Sequence, residues 1–251
     1  MSKEMEVAVK AARAAGRILM KYYGNINKLH YKSARDFATQ ADFDAEKVII
    51  STIRKVFPEH AVLAEESGES GSSESKWIID PLDGTHNFVV EVPLFGVGIA
   101  LERKGEIVLS VIYIPCDREL YTAEKGKGAF LNRKKIRVSS RKENFMVAFG
   151  GFWGIGDPFV RKKFDKLAEK FHHDFRIPGS AMVQLAWIAS GKVDGSLMLN
   201  EKPWDIAPAL LVEEAGGLVT GLNGEKWTPY LANYVAATKT LHGAILDVAR
   251  D

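Results

Sequence analysis

Cysteine is almost missing from this chain: Cys116 is the only one among 251 residues. No intrachain disulfide can form, which fits a reducing compartment. No apolar run approaches the roughly 20 residues needed to cross a bilayer. An excess of charge of either sign is also lacking. The formal net charge is +2, so nothing points to a polyanionic or nucleic-acid partner. There is no Pro-rich or Ser-rich linker and no internal repeat. The glycines between Gly150 and Gly156 lack the GxGxxG spacing of a dinucleotide loop. His172 and His173 are adjacent, but they fall at a helix end, where histidine is common. Ser180 has no nucleophile-elbow context.

What is present is ordinary globular material, 46% hydrophobic and 26% charged, enough to bury a full core. The N-terminus mixes Lys3, Glu4, Glu6, Lys10, Arg13 and Arg17 with apolar residues. That is an amphipathic helix rather than a signal peptide, so a soluble, cytoplasmic protein is expected, without a membrane partner.

Read in order, Glu4 to Tyr23 is helical, with Val7, Ala11, Ala15, Ile18 and Leu19 on one side. Asn25 to Phe37 is polar and irregular. A second helix runs from about Thr39 to Phe57 and stops at Pro58. Ala61–Ala64 and Trp77–Ile79 read as short buried strands. Phe95 to Val138 reads as an antiparallel meander with tight turns. From about Ser139 strands and helices alternate, including a helix over Asp205–Ala215. The expected organisation is an N-terminal subdomain, 1–139, of helices plus an antiparallel sheet, and a C-terminal α/β subdomain, 140–251. Together they form one unit of stacked layers.

The chemistry concentrates at Asp80-Pro81-Leu82-Asp83-Gly84-Thr85. Two carboxylates follow the end of a buried strand and are held in a turn. Gly84 lets a ligand approach the backbone, and Thr85 opens a short helical segment whose N–H groups favour an anion. Alone, the stretch also reads as a plain Asp-Pro turn. Three further carboxylates stand in similar places: Asp42 in the first turn of the second helix, Glu65 at a strand end, and Asp205 after Pro203-Trp204. Singly, Asp42 is a favourable helix charge and Asp205 an N-cap. Converging beyond strand ends, such oxygen donors would select Mg²⁺, Mn²⁺ or Ca²⁺ over Zn²⁺.

Three stretches together resemble the signatures of the inositol monophosphatase family of lithium-sensitive, Mg²⁺-dependent phosphatases. They are Trp77-Ile78-Ile79-Asp80-Pro81-Leu82-Asp83-Gly84-Thr85-His86-Asn87-Phe88, Pro203-Trp204-Asp205-Ile206-Ala207 with Glu214-Ala215-Gly216-Gly217 downstream, and Glu65-Glu66-Ser67. The resemblance spans nearly the whole chain. It implies a layered α/β/α/β/α fold, of the type shared with fructose-1,6-bisphosphatase, and a homodimer. It implies two Mg²⁺ ions, and a third weaker one near Glu65, held by Glu65, Asp80, the Leu82 carbonyl, Asp83 and Asp205. Thr85 and Asp42, with Glu65, match the residues that order the nucleophilic water. Lys32 matches the lysine of the family's mobile loop. Asp83, Gly84, Thr85 and the Gly179-Ser180-Ala181 segment match substrate contacts.

One position departs. The family's inositol-binding glutamate lies seven residues before the aspartate of the Trp-Asp pair, and here that position is Met198. Glu201 is close but out of register. The expectation is a phosphate monoester hydrolase of inositol-1-monophosphatase type with broad specificity, acting on a small phosphorylated metabolite. Fructose 1,6-bisphosphate and histidinol phosphate are alternative substrates, and a non-catalytic Mg²⁺- and phosphate-binding regulator is the alternative outside enzymes.

Overall fold

The computed structural model describes residues 1–26, 28–33, 36–151, 156–171 and 174–250. His172 and His173, and Phe152 to Ile155 of the glycine-rich loop, lie outside the described residues. So do Asn27, Ala34 and Arg35 of the loop expected to be mobile.

Helix α1 spans Lys3–Tyr22 and buries Ala8, Ala11, Ala12, Ala15 and Leu19. These small side chains let it lie close to α2, Gln40–Arg54, which buries Ala41, Ala45, Ile49 and Ile53. Between the helices, β1 (Leu29–Tyr31) and β2 (Phe37–Thr39) pair antiparallel. The stretch expected to be irregular is therefore a small hairpin. Its polar composition conceals the pairing because little of its surface is buried.

The first sheet is built from β3 (Ala61–Ala64), β4 (Gly68–Ser70), β5 (Ser75–Asp83), β6 (Gly96–Arg103), β7 (Glu106–Ile114), β8 (Glu119–Glu124), β9 (Gly128–Leu131) and β10 (Lys134–Lys135). Its order is β10-β9-β8-β7-β6-β5-β3-β4, and only the β3–β5 pair is parallel. Short helix α3, Thr85–Val89, follows β5. Strand β5 is apolar over Trp77–Ile79 because both of its faces are covered there. Trp77 and Ile79 pack with α1 and α2, whereas Ile78 faces the opposite layer.

The second sheet contains β11 (Val147–Phe149), β12 (Phe175–Arg176), β13 (Gly195–Met198), β14 (Leu218–Gly221) and β15 (Tyr234–Ala237), in the order β12-β11-β13-β15-β14. Helices α5 (Ala181–Ala189), α6 (Pro203–Ile206) and α7 (Leu210–Glu214) lie between the sheets. Helices α4 (Pro158–Lys170) and α8 (His242–Arg250) cover the outer face of the second sheet. The result is the α/β/α/β/α stack. The single helix expected over Asp205–Ala215 is instead α6, a 3₁₀ turn at Ala207–Ala209, and α7. Pro208 sits in that turn, where it has no N–H to give to a continuous α-helix.

One irregularity in β5 positions the chemistry. Asp80 pairs with Gly98 and Asp83 with Gly96, so three steps along β5 match two along β6. The extra residue is a β-bulge at Pro81-Leu82. In a regular strand, residues three apart point to opposite faces. The bulge brings Asp80 and Asp83 to the same side. Gly84, just beyond, has φ +85°, and a Cβ there would lie 2.8 Å from the Leu94 carbonyl oxygen.

Gly84→Ala is therefore expected to cost about 2 kcal/mol or more, combining a left-handed backbone penalty with a backbone clash. Gly68 has φ +74° with nothing within 4 Å of a built Cβ, so Gly68→Ala should carry only the conformational part, about 1 kcal/mol. Urea unfolding of both variants checks this. Equal losses would remove the clash from the account.

Candidate metal and phosphate site

The site forms where β3 and β5 end and α2, α5 and α6 begin. Asp80 is buried at the bulge, and its Oδ1 accepts the Leu82 N–H at 2.9 Å. The Leu82 carbonyl accepts a hydrogen bond from the Thr85 hydroxyl at 3.0 Å. The same hydroxyl lies 3.4 Å from Asp42 Oδ1. Asp42 is buried at the start of α2, where its Oδ2 accepts the Thr39 N–H and the Thr39 hydroxyl, each at 2.7 Å. Thr39 in turn caps α2 by accepting the Ala41 N–H. One capping box thus fixes both the helix start and the carboxylate that faces Thr85.

Asp83 is held from the other sheet's side. It accepts hydrogen bonds from the Ser180 hydroxyl, from Ala181 N–H at 3.2 Å and from Met182 N–H at 2.7 Å. It therefore acts as a second N-cap for α5 besides Ser180, whose hydroxyl also accepts the Val183 N–H. Gly179 is exposed, but Ser180 is 3% exposed. The side chain of Ser180, expected among the substrate contacts, is turned inward onto Asp83 because α5 needs a cap. Asn87, in the first signature but assigned no role from sequence, donates to Leu94 O at 2.7 Å and Pro178 O at 2.8 Å. It ties the turn after β5 to the turn before α5. Short polar side chains at element ends were the available signal.

Asp205 lies in the first turn of α6, where its Oδ2 accepts the Lys202 N–H at 2.7 Å. Oxygens of Asp80, Asp83 and Asp205 lie within 4.8 Å of one another. Glu65 continues the set on the side of Asp80, positioned by the β3–β5 ladder through its N–H to Ile79 O. Lys32 Nζ bridges Glu65 at 2.9 Å and Glu66 at 2.6 Å. The Glu66 N–H is anchored on Glu46.

Met198 is not at the site. It is fully buried on β13, within the core between the sheets, and its sulfur accepts from the Ser196 hydroxyl. The strand carries its side chain inward, into that core. Glu201, which looked out of register, is the residue that reaches the site, because the chain turns at Asn200 with φ +60°. The Asp205 carboxylate acts on its carboxyl most strongly after burial, and Asp83 next.

Burial is the main electrostatic fact here. It pushes Asp42 up to about 6, despite the hydrogen bonds from Thr39. It pushes Glu65 and Glu66 each up to about 7, against the pull of Lys32. Asp80 and Asp205 are raised by burial and then by their charged neighbours; Asp83 is raised by burial against its hydrogen bonds. Burial opposes the Lys32 ammonium, but Glu65 and Glu66 outweigh it and hold it charged. An oxygen-only donor set, crowded and short of positive charge, fits hard divalent cations such as Mg²⁺.

This geometry defines a class, and comparison with known proteins agrees with it. The chain belongs to the inositol monophosphatase family, whose model matches residues 1–251. It is 38% identical to the Nus factor SuhB of Escherichia coli K12, covering 100% of this chain and 97% of that one. The crystal structure of the extragenic suppressor protein suhB from Bartonella henselae superposes with a TM-score of 0.93 at 37% identity, covering 100% and 99% of the two chains. An IMPase from Thermotoga maritima gives 0.89 at 32% identity, covering 99% and 97%.

A raised carboxyl pKa means that the folded chain holds more protons than the unfolded one. Stability from these groups is full below about pH 4 and is lost as pH rises through about 6 to 7. His60 and His242 have lowered pKa values, both chiefly through burial, and run the other way. The clean measurement is therefore the rise in Tm on adding Mg²⁺, which should be several degrees larger at pH 7.5 than at pH 5.5. A Mg²⁺ effect independent of pH would contradict the reading.

Proposed function

We propose that this chain is a Mg²⁺-dependent phosphate monoester hydrolase of the inositol monophosphatase type, acting on a small phosphorylated metabolite. The observation that carries the reading is the convergence of Asp80, Asp83 and Asp205, with oxygens within 4.8 Å, beside Glu65. Glu65, Asp80, the Leu82 carbonyl, Asp83 and Asp205 would hold two Mg²⁺ ions, with a third and weaker one near Glu65. Bound there, the ions would supply the charge that activates water and stabilises the leaving oxygen.

The protein's own groups do the positioning. Thr85 donates toward Leu82 O and Asp42, so its oxygen keeps a lone pair for a water proton. Asp42, with its pKa pushed up to about 6 by burial, suits proton acceptance near neutral pH. Gly84 lacks a side chain, so phosphate can approach the N–H groups of Gly84 and Thr85. Ser180 acts as a positioning residue, aligning Asp83. Lys32 holds the hairpin against Glu65 and Glu66 and would follow them as ligands arrive.

The expected protein is a homodimer working without nucleic acid or membrane, and no helix among the described residues is long and apolar enough to cross a bilayer. The relative in E. coli is named a Nus factor; for this chain the full carboxylate set supports catalysis.

Phosphate release from an aryl phosphate should require added Mg²⁺ and vanish with chelator. Asp83→Asn should lower kcat by several orders of magnitude, since it removes a ligand charge. Full turnover in excess EDTA after dialysis would refute the proposal. Lithium should inhibit at millimolar concentration or above, because Li⁺ is close to Mg²⁺ in size with half the charge. Turnover unchanged in Li⁺, against Na⁺ at matched ionic strength, would count against the assigned metal set.

A further inference from the structure

Two polar side chains lie deep between the sheets, and the proposed hydrolysis gives neither of them a part. Gln184, one turn into α5, and Ser196, on β13, are both fully buried. Ser196 and Met198 alternate with Leu197 along the strand, so they face the apolar layer that also holds Met182, Leu185 and Ile206. Strand β13 is the centre of the second sheet, and Ser196 pairs with Ala148 on one side and Ala236 on the other. A buried amide in such a layer is costly unless both of its ends find partners. Here both do.

The Ser196 hydroxyl donates to Gln184 Oε1 at 2.7 Å, a closer acceptor than the Met198 sulfur at 3.1 Å. Gln184 Nε2 donates to the Ser180 carbonyl at 3.3 Å. The reverse amide orientation would set Oε1 against a carbonyl oxygen, so the network selects this one. The same Ser180 carbonyl accepts the Gln184 N–H at 3.2 Å. Gln184 thus holds one oxygen twice. That oxygen shares a planar trans peptide unit with the Ala181 N–H, which points the opposite way. The Ala181 N–H donates to Asp83 Oδ1 at 3.2 Å, beside the Ser180 hydroxyl and the Met182 N–H on Oδ2. Fixing the carbonyl side of this peptide aims its N–H side. A polar chain therefore runs from the middle of the second sheet, through Ser196, Gln184 and the Ser180–Ala181 peptide, to Asp83 at the end of β5. Helix α5 does not need that chain in order to start, because Ser180 and Asp83 already cap it. An apolar pair of the same shape would fill the space with nothing left to satisfy.

We propose that Gln184 and Ser196 are positioning residues of the metal site, acting through the Ser180–Ala181 peptide to hold Asp83 in its ligand geometry. The inference rests on the reading of Asp83 as a Mg²⁺ ligand. It makes the second sheet, which supplies no carboxylate to the β5 turn, set the aim of one that the first sheet carries.

The test uses the full chain and Mn²⁺ alone, with free Mn²⁺ followed by its electron paramagnetic resonance signal. Gln184→Met combined with Ser196→Ala removes both polar partners at nearly constant volume. It should weaken Mn²⁺ binding about 10-fold, the lower end of what losing an outer partner does to a metal site. Its urea midpoint should stay at or above that of the wild type. Leu185→Val, a packing change on the same helix, should lower the midpoint and leave Mn²⁺ affinity alone. In a second arm, the Mg²⁺ concentration for half-maximal phosphate release should rise by the same factor as the Mn²⁺ affinity falls, while KM for an aryl phosphate at saturating Mg²⁺ should not move. Unchanged Mn²⁺ affinity in the double variant overturns the inference. So does an equal loss in Leu185→Val, which would make helix packing the cause. If the double variant does not fold, Ser196→Ala alone carries the test, with the same direction and a smaller loss. Should the wild type bind Mn²⁺ yet release no phosphate, the phosphatase reading fails and the Mn²⁺ arm alone decides: weakened binding upholds the role of Gln184 and Ser196, and unchanged binding ends it. A wild type that binds no Mn²⁺ overturns both.

Discussion

The burial of several carboxylates close together is the constraint on which this structure turns. Asp80 is buried, Asp83, Glu65 and Asp205 are half-buried around it, and each is pushed toward its protonated form. Left alone, such a cluster opposes folding. It persists because its members are anchored to elements with their own reasons to form. Asp42 closes the capping box of α2, and Asp83 caps α5. Asp80 is locked to the backbone of its own bulge, and Asp205 is locked to the first turn of α6. Folding energy from helix caps and packed layers thus holds together charges that would otherwise separate. A divalent cation then relieves the repulsion that the fold maintains.

The bulge in β5 makes this possible. Strand geometry alone would send Asp80 and Asp83 to opposite faces of the sheet. One extra residue, with Pro81 providing no N–H to the ladder, turns both carboxylates the same way and frees the Leu82 carbonyl toward Thr85. Gly84 then has to adopt a left-handed backbone to let α3 begin. Asn87 fastens this turn to the one before α5, so the two halves of the site, drawn from different sheets, share a rigid connection.

Much of this was legible in sequence. The long helices, the meander and the strand–helix alternation follow from periodicity and turn residues, and the layered stack follows from the family signatures. The residues around Asp80 stood out because Asp42, Glu65 and Asp205 stand in similar places, which a plain Asp-Pro turn does not require. Two things were hidden. The hairpin at Leu29–Thr39 pairs only three residues a side, too few for an alternation to mark it. The location of Met198 and Glu201 was misjudged because counting seven residues back from Asp205 assumes one path for the intervening chain. Here β13 runs on into the core, and a single positive-φ residue, Asn200, redirects the chain so that Glu201 reaches the carboxylates. Side-chain direction beyond a strand end depends on such turns, and a local count does not contain them.

The site also divides into a fixed side and an adjustable side. Asp42, Asp80, Asp83 and Asp205 each accept hydrogen bonds from backbone N–H groups, so moving any of them would disturb a helix start or a strand end. Glu65 is different: its carboxylate is held by Lys32, a long side chain on a polar hairpin. An ammonium can withdraw without leaving an unsatisfied backbone group behind. Ligand geometry at the fixed side is set by the fold before anything binds, as preorganised catalysis requires. Adjustment to an incoming cation or phosphate falls on Glu65, Glu66 and Lys32, where the cost is the exchange of one counter-charge for another. That division explains why the hairpin can be polar and weakly packed while the neighbouring strand ends are among the most buried parts of the chain.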